Sequence, residues 1–380
     1  METVPKRKTL TFALIGCGRI SVKHVRAVID KLDDLVFVAI SDTNPLAPEK
    51  LFRDSGYSKK KIENLMLKIH FYTDYREMLE KEKPEITAIT TPSGLHFSMA
   101  KDALLHGSHL LLEKPMSLSC SEAKDLYMLS KKLGKKIAMG HIYRYFPVVG
   151  MIREDVKNHK FGDISHGTVF VRWGHDQAYY DDAAWRGTWD SDGGVLMNQT
   201  VHALDLMCWL MDSPAISAVS MLARRHHKME AEDLGLGIIE FENGALCQIE
   251  GTTNTIPSCH EAAFMITGTE GSISLGIKKG RPYFDIRNGK GKKINSSFFK
   301  RELKKTSIRN LAHFFNPHIF IYQDLIAAIA ENREPIASAY SGYTSVDNIL
   351  GLYKSAKEAR KINLPMEEPF SLENMKDFKL

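Results

Sequence analysis

The chain has 380 residues, of which 43% are hydrophobic, 26% charged and 9% aromatic, enough for two domains that each bury a core without staples. Charge is too balanced for disorder, Gly and Pro are ordinary in number, and no apolar run reaches the roughly 18 residues a membrane helix needs, so a soluble globular chain is expected. The formal net charge of +5 suits a small anion as well as nucleic acid; the basic clusters at Lys59–Lys61 and from Lys278 to Arg309 lack aromatic interleaving and read as solvated surface, with neither nucleic acid nor membrane as partner.

The segment Met1–Lys8 is polar and runs straight into a strand pattern, without the apolar stretch or cleavage site of a signal peptide. Five scattered cysteines with no Cys-x-x-Cys pair fit reduced thiols in cytoplasm. From Leu10 to about His141, short apolar runs alternate with helical periodicity, and strands are expected at Leu10–Ile15, Leu35–Ser41, Ile86–Thr91, His109–Glu113 and Ile137–Met139. Strands apolar on both faces and separated by helices imply a parallel sheet covered on both sides.

The first strand ends in Gly16-Cys17-Gly18-Arg19-Ile20-Ser21 and gives way to a helix through Val28. A tight glycine turn lets the backbone approach a pyrophosphate, whose charge then meets the helix N-terminus. Ser21 stands where a third Gly or Ala is usual. Asp42 ends the second strand, where an acid holds the ribose hydroxyls of NAD and repels the 2′-phosphate of NADP. The plainer accounts are an ordinary strand-to-helix turn and a surface Asp.

Thr90-Thr91-Pro92-Ser93-Gly94-Leu95-His96 follows the next buried strand, at the carboxyl edge where ligands bind, or is simply a loop with a Ser cap. Glu113-Lys114-Pro115 ends the strand after that. Pro115 restrains Lys114 to an extended backbone that can aim its amine into the crevice.

Beyond Gly150 the strand-like segments follow one another: Ile164–Trp173, Ile216–Ala223, Leu234–Phe241, Ala245–Thr252, Ala262–Thr267 and Ser272–Leu275. Glu242-Asn243-Gly244 and Thr269-Glu270-Gly271 sit between pairs of them as hairpin turns. A largely antiparallel sheet is expected, with helices at about Gly194–Met211 and Ile319–Glu331 on one face and the other left for a partner. A last helix, about Tyr343–Arg360, can pack on either domain. The fold class is α/β, with a Rossmann dinucleotide-binding domain at 1–141 and an α+β substrate domain at 142–380.

In this second half, Asn198, His202 and Asp205 stand at i, i+4 and i+7 and share one face of an α-helix. That array can present an imidazole to substrate, or be a buried hydrogen-bond network; no metal is expected, since Asn198 is a poor ligand and no further donor has a recognisable spacing. Trp185 and Arg186 read as a lid or an aromatic anchor, Arg144 and Tyr145 as substrate contacts or hinge packing. His226-His227 reads as a solvated loop.

The combination Gly16-Cys17-Gly18-Arg19-Ile20, Thr91-Pro92, Glu113-Lys114-Pro115, Trp185-Arg186-Gly187 and the Gly193-Gly194 to His202 helix resembles the Gfo/Idh/MocA oxidoreductase family, in the family's order and over nearly the whole chain. The resemblance implies a Rossmann domain for NAD and a second domain whose open sheet mediates homo-oligomers, as a homodimer or homotetramer. With the motifs it gives a cofactor set of Gly16, Gly18, Arg19, Ile20, Asp42, Thr91, Pro92, Ser93, His96, Glu113 and Lys114. It implies Lys114 and His202 as the catalytic pair.

Many members have Asp four residues before that histidine. This chain has Asn198, which cannot act as a base and weakens an inositol-dehydrogenase assignment. The segments Leu196–His202, Trp185–Trp189 and Ser93–His96 look most like the branch that oxidises nucleotide-linked sugars, such as UDP-N-acetylglucosaminuronate 3-dehydrogenases, with Lys114, Arg144, Tyr145, Trp185, Arg186, Asn198, Gln199 and His202 as substrate contacts. The expected activity is NAD-dependent oxidation of a secondary hydroxyl, at C3, of a sugar or nucleotide-linked sugar. The alternatives are an inositol or free-sugar dehydrogenase and, in another class, a non-catalytic NAD-binding sensor or scaffold.

Overall fold

The computed structural model describes residues 9–305 and 316–380; the segment Met1–Lys8 and the end of the basic stretch at Arg309 lie outside the described residues. The chain forms two compact units. The first contains six strands, β1 (Leu10–Ile15), β2 (Leu35–Ser41), β3 (His70–Tyr72), β4 (Ile86–Ile89), β5 (His109–Leu112) and β6 (Ile137–Met139). All pair in parallel, in the order β3-β2-β1-β4-β5-β6. Strand order reverses between β1 and β4, the switch point at which open parallel sheets bind ligands beyond their carboxyl ends.

β1 and β4–β6 are almost entirely buried because Phe12, Leu14, Ile86, Leu110 and their neighbours meet covering helices on both faces. β3 has three residues and no fully buried side chain, so no apolar run marks it in the sequence.

The second unit is built on eight strands: β7 (Ile164–Arg172), β8 (Ala215–Ala223), β9 (Leu234–Phe241), β10 (Leu246–Thr252), β11 (Glu261–Gly268), β12 (Gly271–Lys278), β13 (Arg281–Asn288) and β14 (Ile362–Asn363). Their order is β13-β12-β11-β7-β10-β9-β8-β14. The neighbours are antiparallel except for β7 and β10, which run parallel at the centre. The helices Val201–Met211 and Ala339–Glu358 pack on one face. On the other, Ile216, Val219, Met221, Leu236, Ile238 and Met265 stand exposed. The alternation of buried and exposed residues along β8 and β9 follows from side chains pointing to opposite faces of a strand.

Two expectations are corrected. The units are not two consecutive stretches divided at 141: the helix His318–Glu331, expected on the second sheet, belongs to the first unit, and Ser117–Lys124 to the second. Tyr322 is the physical reason for the first, since its ring packs edge-on against Phe12 and its hydroxyl lies 2.8 Å from His24 Nδ1. For the second, Cys120 N–H donates to the Phe370 carbonyl at 3.0 Å. The last helix, Ala339–Glu358, belongs to the second unit. All five cysteines are free thiols. Among the described residues no helix is long and apolar enough to cross a membrane.

Candidate active site

In the first unit the candidate residues lie at strand ends. Gly16 follows β1 with φ +94°, and a Cβ there would fall 2.8 Å from Thr91 Cγ2 and 3.1 Å from the Thr90 backbone, so only glycine fits. Thr90 Oγ1 donates to the Gly16 carbonyl at 2.7 Å, tying the β4 loop to this turn. The helix Ser21–Lys31 opens without a side-chain cap at Ile20 and without an acid in its first turn, so its positive dipole end is left for an anion. Ser21, in place of the usual third Gly or Ala, is fully buried and its hydroxyl donates to the Gly18 carbonyl. Gly18, Arg19 and Ile20 are exposed around this turn.

Asp42 follows β2. Its carboxylate accepts from Cys17 N–H at 2.8 Å and Asn44 N–H at 2.9 Å, one bond per oxygen, which leaves each oxygen a lone pair for a ribose hydroxyl. The turn, the uncapped helix and the acid together fit a dinucleotide. Thr91 is half-buried, Pro92 exposed and Ser93 half-buried at the start of a short helical turn. Lys114 is half-buried just past the end of β5, and its bond to Pro115 is a cis peptide.

His96 and Glu113 do not face outward. Both ring nitrogens of His96 are engaged by backbone carbonyls, Nδ1 with Pro115 at 2.6 Å and Nε2 with Thr91 at 3.0 Å, so His96 ties the two loops together instead of offering a hydrogen bond to a cofactor. Glu113 is buried, with its carboxylate 3.1 Å from His24 Nε2.

In the second unit, Leu196–Thr200 is a π turn that runs into the α-helix Val201–Met211. The wider turn breaks the uniform α spacing assumed for Asn198, His202 and Asp205, and the three have separate surroundings. The Asn198 amide donates to Asp192, which also accepts from Gly187 N–H at 2.9 Å. Gln199 Nε2 lies 3.2 Å from His175 Nε2, and His175 stacks on Tyr179 at 3.8 Å between ring centres. Burial pushes His175 down to about 4, so it is neutral at pH 7. The His202 ring lies 5.3 Å from that of Tyr143.

Asp205 is buried and paired with Arg144, Nε to Oδ2 at 2.8 Å and Nη2 to Oδ1 at 2.7 Å, while Ser345 Oγ donates at 2.6 Å. Arg144 is thereby committed to the interior rather than to a substrate, and Tyr145 is buried beside it in sequence. Arg186 donates to the Tyr179 carbonyl at 2.6 Å and to Asp182 at 2.9 Å and lies over the Tyr179 and Trp185 rings. Trp185 is half-buried. Tyr179, Asp192, Asn198, Gln199 and Met229 line one small pocket.

The sequence reading missed His175, Tyr179 and Asp192, whose only signal is the His175-Asp176-Gln177 loop after a strand end. It also placed His227 in a solvated loop. The structure buries His227, with its N–H donating to Asp233 at 2.9 Å and its Nε2 3.1 Å from the His175 carbonyl; only His226 is exposed.

Buried Glu232 fixes the start of the π turn. Its Oε1 accepts from Leu196 N–H at 2.9 Å and Tyr353 OH at 2.7 Å. A Cβ on Gly194 would lie 2.0 Å from Oε2, so the turn closes directly onto this carboxyl.

Residues 10–141 match a family model described as oxidoreductase family, NAD-binding Rossmann fold, and residues 149–274 match the GFO/IDH/MocA C-terminal domain. D-glucoside 3-dehydrogenase of Escherichia coli (strain K12) is 23% identical, over 96% of this chain and 100% of that protein. The scyllo-inositol 2-dehydrogenase (NAD+) of Bacillus subtilis (strain 168) is 25% identical, over 80% of this chain and 84% of its own. The crystal structure of the WlbA dehydrogenase from Bordetella pertussis in complex with NADH and UDP-GlcNAcA aligns with a TM-score of 0.82 at 27% identity, covering 96% of this chain and 100% of that one. A glycine turn at the sheet's switch point, an acid at the end of β2, Glu-Lys-Pro at the end of β5 and both family models in register make this chain a member of the Gfo/Idh/MocA family of NAD-binding oxidoreductases.

Proposed function

We propose that the protein oxidises a secondary hydroxyl, at C3, of a sugar or nucleotide-linked sugar with NAD. The observation that carries this reading is Lys114 at the carboxyl edge of the same sheet that presents the Gly16 turn and Asp42. The turn from Gly16 to Ile20 at the helix N-terminus takes the diphosphate and Asp42 the adenosine ribose, which disfavours NADP. NAD, when bound, accepts the hydride that leaves the carbon. His202 takes the hydroxyl proton, and Lys114 donates a hydrogen bond to the oxygen as it becomes a carbonyl.

Asn198 and Gln199 supply amide groups suited to sugar hydroxyls, with His175, Tyr179 and Asp192 setting their orientation. The nucleotide-sugar preference is supported by likeness to a dehydrogenase whose crystal structure holds UDP-GlcNAcA. Two copies pair through the exposed apolar face of the second sheet, a reading supported by Ile216, Val219, Met221 and Ile238 lying open there.

The test is NAD reduction, followed by absorbance, with UDP-N-acetylhexosaminuronates, UDP-N-acetylhexosamines, alkyl glucosides and inositols. Turnover confined to inositols overturns the substrate class. Absence of reduction with every compound, in protein that still binds NAD, brings forward the sensor reading.

A further inference from the structure

His24, Glu113 and His318 come from three distant parts of the sequence and converge within the first unit. His24 projects from the helix Ser21–Lys31, Glu113 from the end of β5 and His318 from the first turn of the helix His318–Glu331. All three are buried. Nε2 of His24 lies 3.1 Å, and Nε2 of His318 3.4 Å, from the same carboxylate oxygen, Oε1 of Glu113. The three donor atoms lie within 4.8 Å of one another. A tetrahedral zinc ion with bonds of about 2.0–2.1 Å sets neighbouring ligand atoms about 3.3 Å apart, close to both measured separations.

Side-chain oxygens hold the outer nitrogens of both rings. Asn316 Nδ2 donates to the Lys23 carbonyl at 2.8 Å, which turns Asn316 Oδ1 toward His318 Nδ1 at 3.2 Å. That oxygen only accepts, so Nδ1 carries a hydrogen and Nε2 is the nitrogen turned to Glu113. His318 Nε2 is buried and makes no hydrogen bond. A proton on Nε2 or a cation between the two atoms is what reconciles this nitrogen with the carboxylate. The outer nitrogen of His24 also meets a side-chain oxygen, its Nδ1 lying 2.8 Å from Tyr322 OH, a hydroxyl that can donate or accept. A ring whose second nitrogen is fixed by a side-chain oxygen is how metal-ligating histidines are commonly oriented.

We propose that His24 Nε2, His318 Nε2 and Glu113 Oε1 bind a divalent cation of the zinc class, with a water completing the tetrahedron. The ion would clip together the helix after the glycine turn, the end of β5 and the helix His318–Glu331, all elements of the nucleotide-binding unit. Hydride chemistry at Lys114 does not require it, so this site and the proposed activity can fail independently.

The full-length protein, stripped with a chelator, is incubated with Zn2+ or Co2+, desalted and assayed for metal. About one equivalent is expected to remain, with the visible bands of tetrahedral Co2+ and a raised melting temperature when Zn2+ is added back. His318→Ala should retain at least tenfold less metal while NAD still raises its melting temperature. Should His318→Ala not fold, His318→Gln, which preserves volume and polarity, is measured the same way. Retention of no metal by the unsubstituted protein, or of an equal amount by the folded His318 variant, overturns the site.

Discussion

The two units position their polar side chains by different means. In the first, Gly16 and Asp42 are each the first residue after a strand of one parallel sheet and Lys114 the second after another, so backbone register sets their location and side-chain identity is left to chemistry. In the second, Asn198 and Gln199 sit on a π turn held by Glu232, Tyr353, Asp192 and His175, each contact made by a side chain from another segment. A site addressed by backbone tolerates changes around it, whereas one addressed by side chains depends on each supporting contact.

The largest effects should come where chemistry meets this contrast. Lys114→Ala is expected to lower kcat by about 10³-fold with NAD affinity changed less than threefold, since general acid–base and hydrogen-bonding groups contribute roughly 10² to 10⁴. His202→Ala should cost about 10²-fold. Steady-state kinetics and NAD titration check both, and near-normal kcat in the Lys114 variant would remove it from the chemistry.

Arg144→Met probes the second unit's support. It strips Asp205 of a buried bidentate partner, which typically costs about 3–5 kcal/mol of unfolding free energy, measurable by urea denaturation. A raised KM with unchanged stability would instead restore Arg144 as a substrate contact. Asp42→Ser addresses the first unit at a smaller scale: kcat/KM for NAD should fall about tenfold and the preference over NADP narrow, with no change in melting temperature, because Asp42 is partly exposed at a strand end.

The same contrast accounts for what could be read before the fold was known. β1, β2, β6 and β9 have the predicted limits, because buried strands need unbroken apolar runs, and the Gly16, Asp42 and Lys114 positions follow from where those runs end. The edge strands β3, β13 and β14 lack that signature: β13 runs through Arg281, Asp285 and Arg287, and β14 has two residues. The return of the helix His318–Glu331 to the first unit depends on contacts of Tyr322 and His318 with residues on β1, β5 and the helix Ser21–Lys31. The π turn was equally hidden, since its cause is a carboxyl at Glu232 pressed against Gly194, and no local periodicity reports such a neighbour.

Glu232 offers the finest test of that side-chain dependence. Burial pushes its carboxyl up to about 8, against about 4.3 for an unperturbed glutamate, so at intermediate pH the folded protein holds a proton that the unfolded chain has released. Below about pH 4.3 both states are protonated and the group contributes no pH dependence; from there to about pH 8 each rise in pH favours unfolding, and above that the penalty is constant. Glu232→Gln keeps an oxygen for Leu196 N–H and Tyr353 OH while removing the ionisation. Its melting temperature should match the parent near pH 5 and exceed it by several degrees at pH 8, a gap that widens steadily between. A gap of constant size would mean that the π turn responds to the shape of this side chain and not to its charge.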